Sequence, residues 1–257
     1  MTHVARKRFG QNFLVDPAVI AAIVSAINPQ EGHRIVEIGP GLAALTDALL
    51  RRAGFLTAIE IDRDLVERLR SRYRDRIRLI QADVLTVDFV DLAETGKLRV
   101  VGNLPYNISS PLLVRLLGFR EQVLDQHFML QKEVVERITA RPGSKSYGRL
   151  GVLMQAYYEV ESLFSVPPES FDPPPRVHSA VLRMLPRGEP APVHPQLLSE
   201  VLAAAFGQRR KMLRNTLLPW LSQLGVEASE LAPTDRPENL SVQTYVDLAI
   251  RLGRARS

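Results

Sequence analysis

Cysteine is absent from the 257-residue sequence. Its absence excludes disulfides, iron–sulfur clusters, thiolate zinc sites and any mechanism that uses a cysteine nucleophile. The five histidines are scattered without the paired spacing of metal ligands, so we expect no metal site. Apolar runs of membrane-spanning length are also missing, and no apolar segment of the signal-peptide type follows the basic N-terminal residues. These absences predict a cytoplasmic protein of a reducing compartment, without membrane contact.

Hydrophobic residues make up 46% of the chain, which at this length suffices for one large core and a smaller second domain. The 33 lysines and arginines exceed the 28 acidic residues, which gives a net charge of +5. An excess of this size permits a polyanionic partner without requiring one. The places where positive charges cluster are therefore more informative than their sum.

Short apolar segments alternate with helical patterns through the first half of the sequence. The predicted strands are Arg34–Ile38, Leu56–Ile61, Ile77–Ala82, Leu98–Gly102 and Phe128–Gln131. The predicted helices between them are Leu42–Arg52, Asp64–Tyr73 and Pro111–Leu117, and Asp16 followed by Pro17 predicts the start of an earlier helix. This alternation predicts a doubly wound α/β domain whose mostly parallel sheet is covered on both faces.

The pattern changes in the second half of the chain. Two β-like segments, Glu161–Val166 and Val177–Leu185, predict a late β-hairpin added to the sheet. The proline-dense segment 186–192 predicts a linker, and helical spacing continues beyond it. We therefore expect an α/β domain over residues 1–187 and a small all-α domain over residues 188–257.

The segment Glu37–Ala44 follows the first predicted strand and opens a helix, which is where α/β sheets bind nucleotides. Gly39 and Gly41 also satisfy the Gly-x-Gly-x-x-Ala pattern of dinucleotide-binding proteins. Two residues disfavour a pyrophosphate: Pro40 has no N–H to donate, and Glu37 would bring a carboxylate close to the phosphates. Because that negative charge would attract a cationic ligand, the loop favours S-adenosylmethionine.

Acidic residues stand at the ends of the next two predicted strands. Glu60 lies 19 positions beyond Gly41, where a carboxylate can accept hydrogen bonds from both hydroxyls of a ribose. Asp83 lies where a carboxylate can bind an adenine amino group. Either residue, like the neighbouring Asp62, could instead cap a helix or end a strand in solvent. Their occurrence at consecutive strand ends favours a ligand site.

The segment Asn103-Leu104-Pro105-Tyr106 follows the fourth predicted strand. The Asn103 side-chain oxygen and a turn carbonyl can accept both N–H bonds of an exocyclic amine such as adenine N6, while Tyr106 stacks on the base. Alone, the four residues also suit an ordinary proline turn. Their position after a cofactor loop and two acidic strand ends favours methyl transfer to a base nitrogen.

Positive charge is concentrated in two segments of the chain. The candidate RNA-binding residues in them are Arg6, Lys7, Arg8, Arg209, Arg210, Lys211 and Arg214. The second segment accompanies a helical apolar pattern, so a solvated basic helix face is the alternative. The functional interpretation is that both segments hold phosphates around a flipped base, in an RNA whose bases are unpaired.

Several motifs, taken in order, make the chain similar to a known family. They are Lys7–Leu14, Glu37–Gly41, Glu60–Asp62, Gln81–Asp83, Asn103–Tyr106 and Phe171–Ser179. Over nearly its whole length the chain resembles the ribosomal RNA adenine N6-dimethyltransferases, most closely those of the bacterial KsgA/RsmA type. The resemblance implies a Rossmann-like methyltransferase fold, S-adenosylmethionine as cofactor and no metal.

The resemblance also implies roles for individual residues. Contacts to S-adenosylmethionine are implied for Asn12, Leu14, Gly39, Gly41, Glu60, Asp83 and Asn103. The implied catalytic residues are Asn103, Leu104, Pro105, Tyr106 and Phe171, with Tyr106 and Phe171 on opposite faces of a flipped adenine. Because asparagine accepts no proton at neutral pH, we expect the enzyme to act by positioning the amine rather than by deprotonating it.

The implied reaction is N6-dimethylation of two adjacent adenines in the 3′-terminal hairpin loop of small-subunit (16S) rRNA. The implied partner is an immature 30S subunit, and we expect a monomer with a role in ribosome biogenesis. One residue departs from the family pattern, because Ala43 stands where a third glycine is common. We expect Ala43 to lie one residue into a helix, where its methyl could tighten the cofactor pocket.

Three alternatives remain open. The first is methylation of large-subunit (23S) rRNA, which confers antibiotic resistance, although Leu104 and the proline-rich segment after Phe171 favour the small subunit. The second is a mainly non-catalytic RNA-binding ribosome-assembly factor, against which the intact Asn103 and cofactor loop argue. The third is a nicotinamide-dependent oxidoreductase, which rests on the glycine loop alone.

Overall fold

Strands and helices alternate along the first half of the chain. The computed structural model describes residues 12–94, 96–208 and 211–256. The strands are β1 (Phe13–Leu14), β2 (Arg34–Ile38), β3 (Leu56–Glu60), β4 (Ile77–Gln81), β5 (Leu98–Asn103), β6 (Val123–Gln131), β7 (Tyr158–Val166), β8 (Phe171–Asp172) and β9 (Ser179–Pro186). The helices are α1 (Pro17–Ile27), α2 (Ala44–Ala53), α3 (Arg63–Tyr73), α4 (Phe89–Ala93), α5 (Ser109–Leu116), α6 (Lys132–Ile138), α7 (Arg149–Tyr157), α8 (Pro195–Phe206), α9 (Leu217–Gln223) and α10 (Val242–Ala255).

Within the described residues, seven strands form one sheet in the order β4-β3-β2-β5-β6-β9-β7. Neighbouring strands from β4 to β6 pair in parallel, whereas β9 runs antiparallel to β6. β1 and β8 form a separate two-stranded antiparallel sheet. The expected α/β fold, with a mostly parallel sheet, a late pair of strands at one end of the sheet and a helical C-terminal region, is confirmed.

Local chemistry explains where the first elements begin. The Asp16 carboxylate accepts hydrogen bonds from the N–H groups of Ala18 and Val19, and Pro17 occupies the first turn of α1. β2, β3 and β5 are almost continuously buried and mainly apolar in their middle residues, as parallel strands covered on both faces tend to be. These strands carry the loops of the ligand crevice at their carboxyl ends.

The interior strand β6 begins five residues before its predicted start at Phe128. Its first half contains Asp125 and His127, which are polar yet buried, so the apolar pattern does not reveal it. The Asp125 carboxylate accepts a hydrogen bond from Nε of Arg99 at 3.0 Å, and Arg99 Nη1 donates to the Asn28 carbonyl at the end of α1. Tertiary pairing therefore compensates for burying this charge.

The described residues divide into two compact units. The first comprises residues up to Val135 and Glu161–Pro186; the second comprises Glu136–Val160 and the residues from Arg187 onward. The second unit thus contains α7 as well as the C-terminal helices, whereas the predicted boundary lies at residue 187 alone. The assignment of functional domains to 1–187 and 188–257 stays a prediction.

Aromatic side chains form part of the core of the second unit. The ring of Phe206 lies 6.3 Å from that of Tyr147 and 5.6 Å from that of Tyr245, measured between centroids. The hydroxyl of Tyr245 donates to the Pro237 carbonyl at 2.7 Å, which satisfies the polar end of a buried ring. In the parts of the chain that the structure describes, no helix combines the length and apolarity needed to cross a membrane.

Candidate functional site

A cavity of about 270 Å³ opens at the carboxyl ends of β2, β3 and β5, where open α/β sheets bind their ligands. Every residue predicted to contact the cofactor lines it: Asn12, Leu14, Gly39, Gly41, Glu60, Asp83 and Asn103. The predicted catalytic residues Leu104, Pro105, Tyr106 and Phe171 line the same cavity. The fold thus brings both predicted sets of residues together, and their individual roles stay predictions.

The glycine loop between β2 and α2 depends on backbone conformations that favour glycine. Gly39 and Gly41 have φ angles of 65° and 56°, in the left-handed region. A Cβ atom on Gly41 would lie 3.1 Å from the ring of Phe13, which is tighter than an ordinary contact. Gly41 therefore lets the chain turn and lets Phe13 pack directly against the loop.

The expectation for Ala43 is wrong. α2 begins at Ala44, and Ala43 precedes it with φ 73° and ψ 27°, a left-handed conformation instead of the predicted helical one. Its N–H donates to the Pro40 carbonyl at 2.8 Å, which closes the turn 40–43 directly before the helix. Ala43 is buried in the core and is not part of the cavity wall. Its methyl therefore does not tighten the cofactor pocket.

Glu37 places a buried carboxyl group in the wall of the cavity. Its side chain is 2% exposed, and Oε2 accepts a hydrogen bond from Oγ1 of Thr46 at 2.7 Å. Burial raises the pKa of Glu37 to about 7, partly opposed by that hydrogen bond. A cation entering the cavity would favour the ionised form, so the group is suited to a positively charged ligand.

Glu60 connects the ends of β2 and β3. One of its oxygens accepts from the Gly41 N–H at 3.3 Å, and the other accepts from Ile61 and Asp62 N–H groups, both at 2.9 Å. Burial raises the pKa of Glu60, and these hydrogen bonds oppose the shift. An ionised carboxylate has about four acceptor positions, so it retains capacity for a ribose hydroxyl.

The two neighbouring aspartates differ in their surroundings. Asp62 accepts from the Asp64 N–H and caps α3, as the alternative interpretation of that residue supposed. Asp83 accepts from the Leu85 N–H at 2.9 Å and caps a single 3₁₀ turn, yet it also lines the cavity and is exposed. Capping and ligand binding are therefore compatible at Asp83, because a carboxylate has two oxygens.

Asn103 ends β5 beside the glycine loop. Its Nδ2 donates to the backbone carbonyl of Asn12 at 3.0 Å, across 91 positions of sequence. A carbonyl can only accept, so this contact fixes which end of the Asn103 amide is the nitrogen. The Oδ1 oxygen of the same amide is then available to accept a hydrogen bond from an amine.

Tyr106 lies in the turn after β5, which one local and two long-range contacts hold in place. The Leu104 N–H donates to the Met129 carbonyl at 3.2 Å, and Ser109 Oγ donates to the Pro105 carbonyl at 3.1 Å. The Tyr106 hydroxyl lies 3.1 Å from Oγ of Ser179. Tyr106 is thus held at two places: its backbone turn is bonded to β6, and its hydroxyl is bonded to Ser179.

Phe171 reaches the cavity because β8, on which it lies, pairs with β1. Leu14 is the register partner of Phe171, and the Val15 N–H donates to the Ser170 carbonyl at 2.9 Å. Ser170 Oγ also donates to the Asp16 carboxylate at 3.0 Å, and this bond lowers the pKa of Asp16. Phe171 itself is 3% exposed, so most of its ring is packed in the core.

The sequence model of the family described as ribosomal RNA adenine dimethylase matches residues 2–253 of the chain. The chain belongs to the ribosomal RNA adenine dimethylase family. A relative from Albidiferax ferrireducens, ribosomal RNA small subunit methyltransferase A, is 55% identical over 98% of this chain and 97% of its own length.

Two solved structures have folds similar to that of this dimethylase. A dimethyladenosine transferase from Plasmodium falciparum gives a TM-score of 0.78 at 22% identity, covering 95% of this chain and 98% of that one. The 23S rRNA methyltransferase ErmE gives a TM-score of 0.65 at 25% identity, covering 94% and 100% respectively. The first likeness supports the fold alone, since its sequence identity is low.

The basic residues of this dimethylase are described only in part. Arg6, Lys7, Arg8, Arg209 and Arg210 lie outside the described residues. Lys211 and Arg214 are exposed, and Arg214 lies on the short 3₁₀ turn 213–215 between α8 and α9. The described part of the basic segment is therefore a turn region rather than a helix face, and its RNA-binding role stays a prediction.

Sequence reasoning missed several residues of the dimethylase site. Phe13 and Ser179 belong to motifs that the resemblance uses, but their contacts with Gly41 and Tyr106 depend on distant segments. Glu37 is predicted only as a negative charge near the loop and not as a cofactor residue. Its position two residues before Gly39, near the end of β2, is the signal that places it in the cavity wall. Among the described residues, no group of three or more potential ligands could hold a metal ion.

Proposed function

We propose that this chain transfers methyl groups from S-adenosylmethionine to N6 of two adjacent adenines in the 3′-terminal hairpin loop of small-subunit rRNA. The observation that carries the proposal is the Asn103 amide, whose Nδ2 is bonded to the Asn12 carbonyl at the edge of the cavity. That bond leaves Oδ1 to accept an N–H of the target amine. The family membership and the 55% identity to a small-subunit methyltransferase support the same reaction.

The residues of the cavity fit S-adenosylmethionine. Gly39 and Gly41 line the cavity and form its loop wall, and Glu60 offers a carboxylate at the position suited to ribose hydroxyls. Glu37 and Glu60 place two carboxyl groups in the wall of the cavity, and a cation beside them would favour their ionised forms against the effect of burial. When bound, S-adenosylmethionine supplies a methyl group on a positively charged sulfur, which an amine can attack directly.

The protein contributes positioning rather than acid–base chemistry. Asn103 Oδ1 and the Leu104 carbonyl would hold the N6 amine, so that its lone pair points toward the methyl group. Tyr106 and Phe171 would enclose the flipped base, which removes it from water and limits its motion. The proton released from N6 after transfer would leave to water, because Asn103 is not basic.

The substrate assignment depends on how similar the relatives are. The small-subunit methyltransferase of Albidiferax ferrireducens is 55% identical to this chain, whereas the 23S rRNA methyltransferase ErmE is 25% identical. The small subunit is therefore favoured over the large one. Within this proposal the enzyme acts as a monomer, in the cytoplasm, on an immature 30S subunit.

Labelled S-adenosylmethionine and under-methylated 30S subunits test the proposal, with modified nucleotides mapped by primer extension. We expect two adjacent dimethyladenines in the 3′-terminal hairpin loop and no label in 50S subunits. Label in the large subunit alone would instead indicate methylation of 23S rRNA, the activity that confers antibiotic resistance. Binding to 30S subunits without any label would indicate an assembly factor.

A further inference from the structure

The hydroxyl groups of Tyr106 and Ser179 form a hydrogen-bonded pair, 3.1 Å apart and 73 positions apart in sequence. Ser179 is 1% exposed, and within the described part of the chain its side chain has no other hydrogen-bond partner. A buried hydroxyl without a partner costs free energy. The pair is therefore favoured in the folded protein before any ligand enters.

Strand β6 fixes both ends of this contact. The turn that carries Tyr106 is attached to β6 through the Leu104 N–H and the Met129 carbonyl. Ser179 begins β9 as the antiparallel register partner of Gln131, two residues further along β6. Because the two attachments lie close together on one interior strand, the Ser179 hydroxyl is a fixed point relative to the Tyr106 backbone.

Fixing the far end of a tyrosine ring constrains its orientation. The backbone alone leaves χ1 and χ2 of Tyr106 free to change, since the residue is only half-buried and lies in a turn. A hydrogen bond from the phenol oxygen to a fixed partner limits both angles at once. Stacking requires the ring to be parallel to the base, so such a limit organises the site in advance.

We propose that Ser179 is a positioning residue, which holds the ring of Tyr106 in the orientation that stacks on the target adenine. Ser179 acts through Tyr106 and does not touch the reacting atoms. This inference rests on the proposed function, because it takes Tyr106 to be the residue that stacks on the base. It adds that full activity requires the hydroxyl groups of both Tyr106 and Ser179, which the position of neither residue in the sequence reveals.

A double-mutant cycle tests the inference on the full-length chain. Ser179→Ala, Tyr106→Phe and the double variant are compared with the wild type in single-turnover methylation of under-methylated 30S subunits. Each single change should lower the rate about 3- to 10-fold, the usual effect of one hydrogen bond. The double variant should be no slower than the slower single variant, because both changes remove the same bond.

Several outcomes contradict the inference. Losses that multiply in the double variant would show that Ser179 acts independently of Tyr106. A fully active Tyr106→Phe variant would show that the hydroxyl pair is dispensable, and this test holds even if Ser179→Ala unfolds. The affinity for S-adenosylmethionine should change less than about twofold, and a larger change would indicate a general disturbance of the cavity.

Two control variants separate positioning from packing. Ser179→Thr keeps a hydroxyl and should recover most of the rate lost in Ser179→Ala. Ser144→Ala removes a serine hydroxyl that donates to the Arg141 carbonyl and does not line the cavity, so it should leave the rate unchanged. Failure of the threonine variant to recover activity while it remains folded would count against the inference.

Ring dynamics distinguish failure of this inference from failure of the proposed function. A wild-type protein that methylates no rRNA would disprove the proposed function. The Tyr106 ring can still be followed by carbon NMR, its signal being the one lost in Tyr106→Phe. Faster ring motion in Ser179→Ala is expected, and unchanged motion would show that Ser179 does not position the ring.

Discussion

The cavity has a cofactor half, formed by the glycine loop and Glu60, and a base half, formed by Asn103, Tyr106 and Phe171. The two halves are held together in different ways. In the cofactor half, Glu37 is bonded to Thr46 nine positions away, and Gly41 to Glu60 nineteen positions away. In the base half, Asn103 is bonded to Asn12 across 91 positions. Tyr106 and Ser179 are 73 positions apart, and the Asp16–Ser170 bond that accompanies Phe171 spans 154.

This difference separates the glycine loop and Glu60 from the residues that are predicted to hold the base. A loop whose partners are close in sequence forms with the βαβ unit that carries it, so the cofactor half resembles that of many α/β proteins. The base half requires three distant segments to be in place at once. We therefore expect substitutions in the base half to affect turnover more than cofactor binding, and substitutions in the glycine loop to do the reverse.

The largest effect is expected for Asn103→Ala. Losing the amide removes the acceptor that orients N6, so turnover should fall by about 10³-fold or more while the protein stays folded. Single-turnover methylation and circular dichroism measure the two quantities. The control is Asn107→Ala, an exposed amide in the same turn that also lines the cavity but is not predicted to orient N6, and it should cost less than about tenfold. Near-normal activity of Asn103→Ala would contradict the mechanism.

Gly41→Ala should affect the other half of the cavity. A methyl group at φ 56° and 3.1 Å from the Phe13 ring forces the loop or the ring to move, so affinity for S-adenosylmethionine should fall about 10- to 100-fold. Gly32→Ala is the matched control, because Gly32 has φ 83° but open space around it. Calorimetric titration should find normal affinity for S-adenosylmethionine in that control. Equal losses of affinity in both variants would show that backbone strain, and not the contact with Phe13, causes the effect.

Glu37→Gln should change how stability depends on pH. Because the folded pKa, about 7, exceeds the ordinary value of 4.5, folding favours the protonated carboxyl group. The resulting stabilisation is complete below about pH 4.5 and is lost as the pH rises through about 7. The glutamine side chain cannot ionise, so without cofactor the variant should gain roughly 2 kcal/mol over wild type between pH 5 and 8. Thermal unfolding of both proteins at several pH values measures this difference in stability. If the stability of the variant and that of the wild type depended on pH in the same way, the raised pKa of Glu37 would be disproved.

The smallest effect is expected for Ala43→Gly. Glycine relieves a left-handed conformation worth about 1 kcal/mol, but it removes a buried methyl group and raises the entropy of the unfolded chain. Stability should therefore change by less than about 1 kcal/mol, and affinity for S-adenosylmethionine by less than about twofold. Thermal unfolding and titration measure these values. A tenfold change in affinity would mean that the Ala43 methyl does influence the pocket.

Sequence patterns predicted β2 with its bounds and β3, β4 and β5 to within one residue, because buried parallel strands are continuous apolar runs. They missed the first half of β6, where Asp125 is buried through its pairing with Arg99. They also misplaced Ala43, which closes a turn with Pro40 and lies before α2 in a left-handed conformation that helix propensity does not describe.

The sequence by itself determined the fold class, the order of the loops at the sheet edge and the chemical types of the side chains there. These properties follow from hydrophobic periodicity and from residues that are close in the chain. Only the tertiary structure decided which way the Asn103 amide is turned, what holds the Tyr106 ring and how Phe171 reaches the cavity. The physical reason is that each of these three features depends on a hydrogen bond, or on the pairing of β1 with β8, between segments more than 70 positions apart.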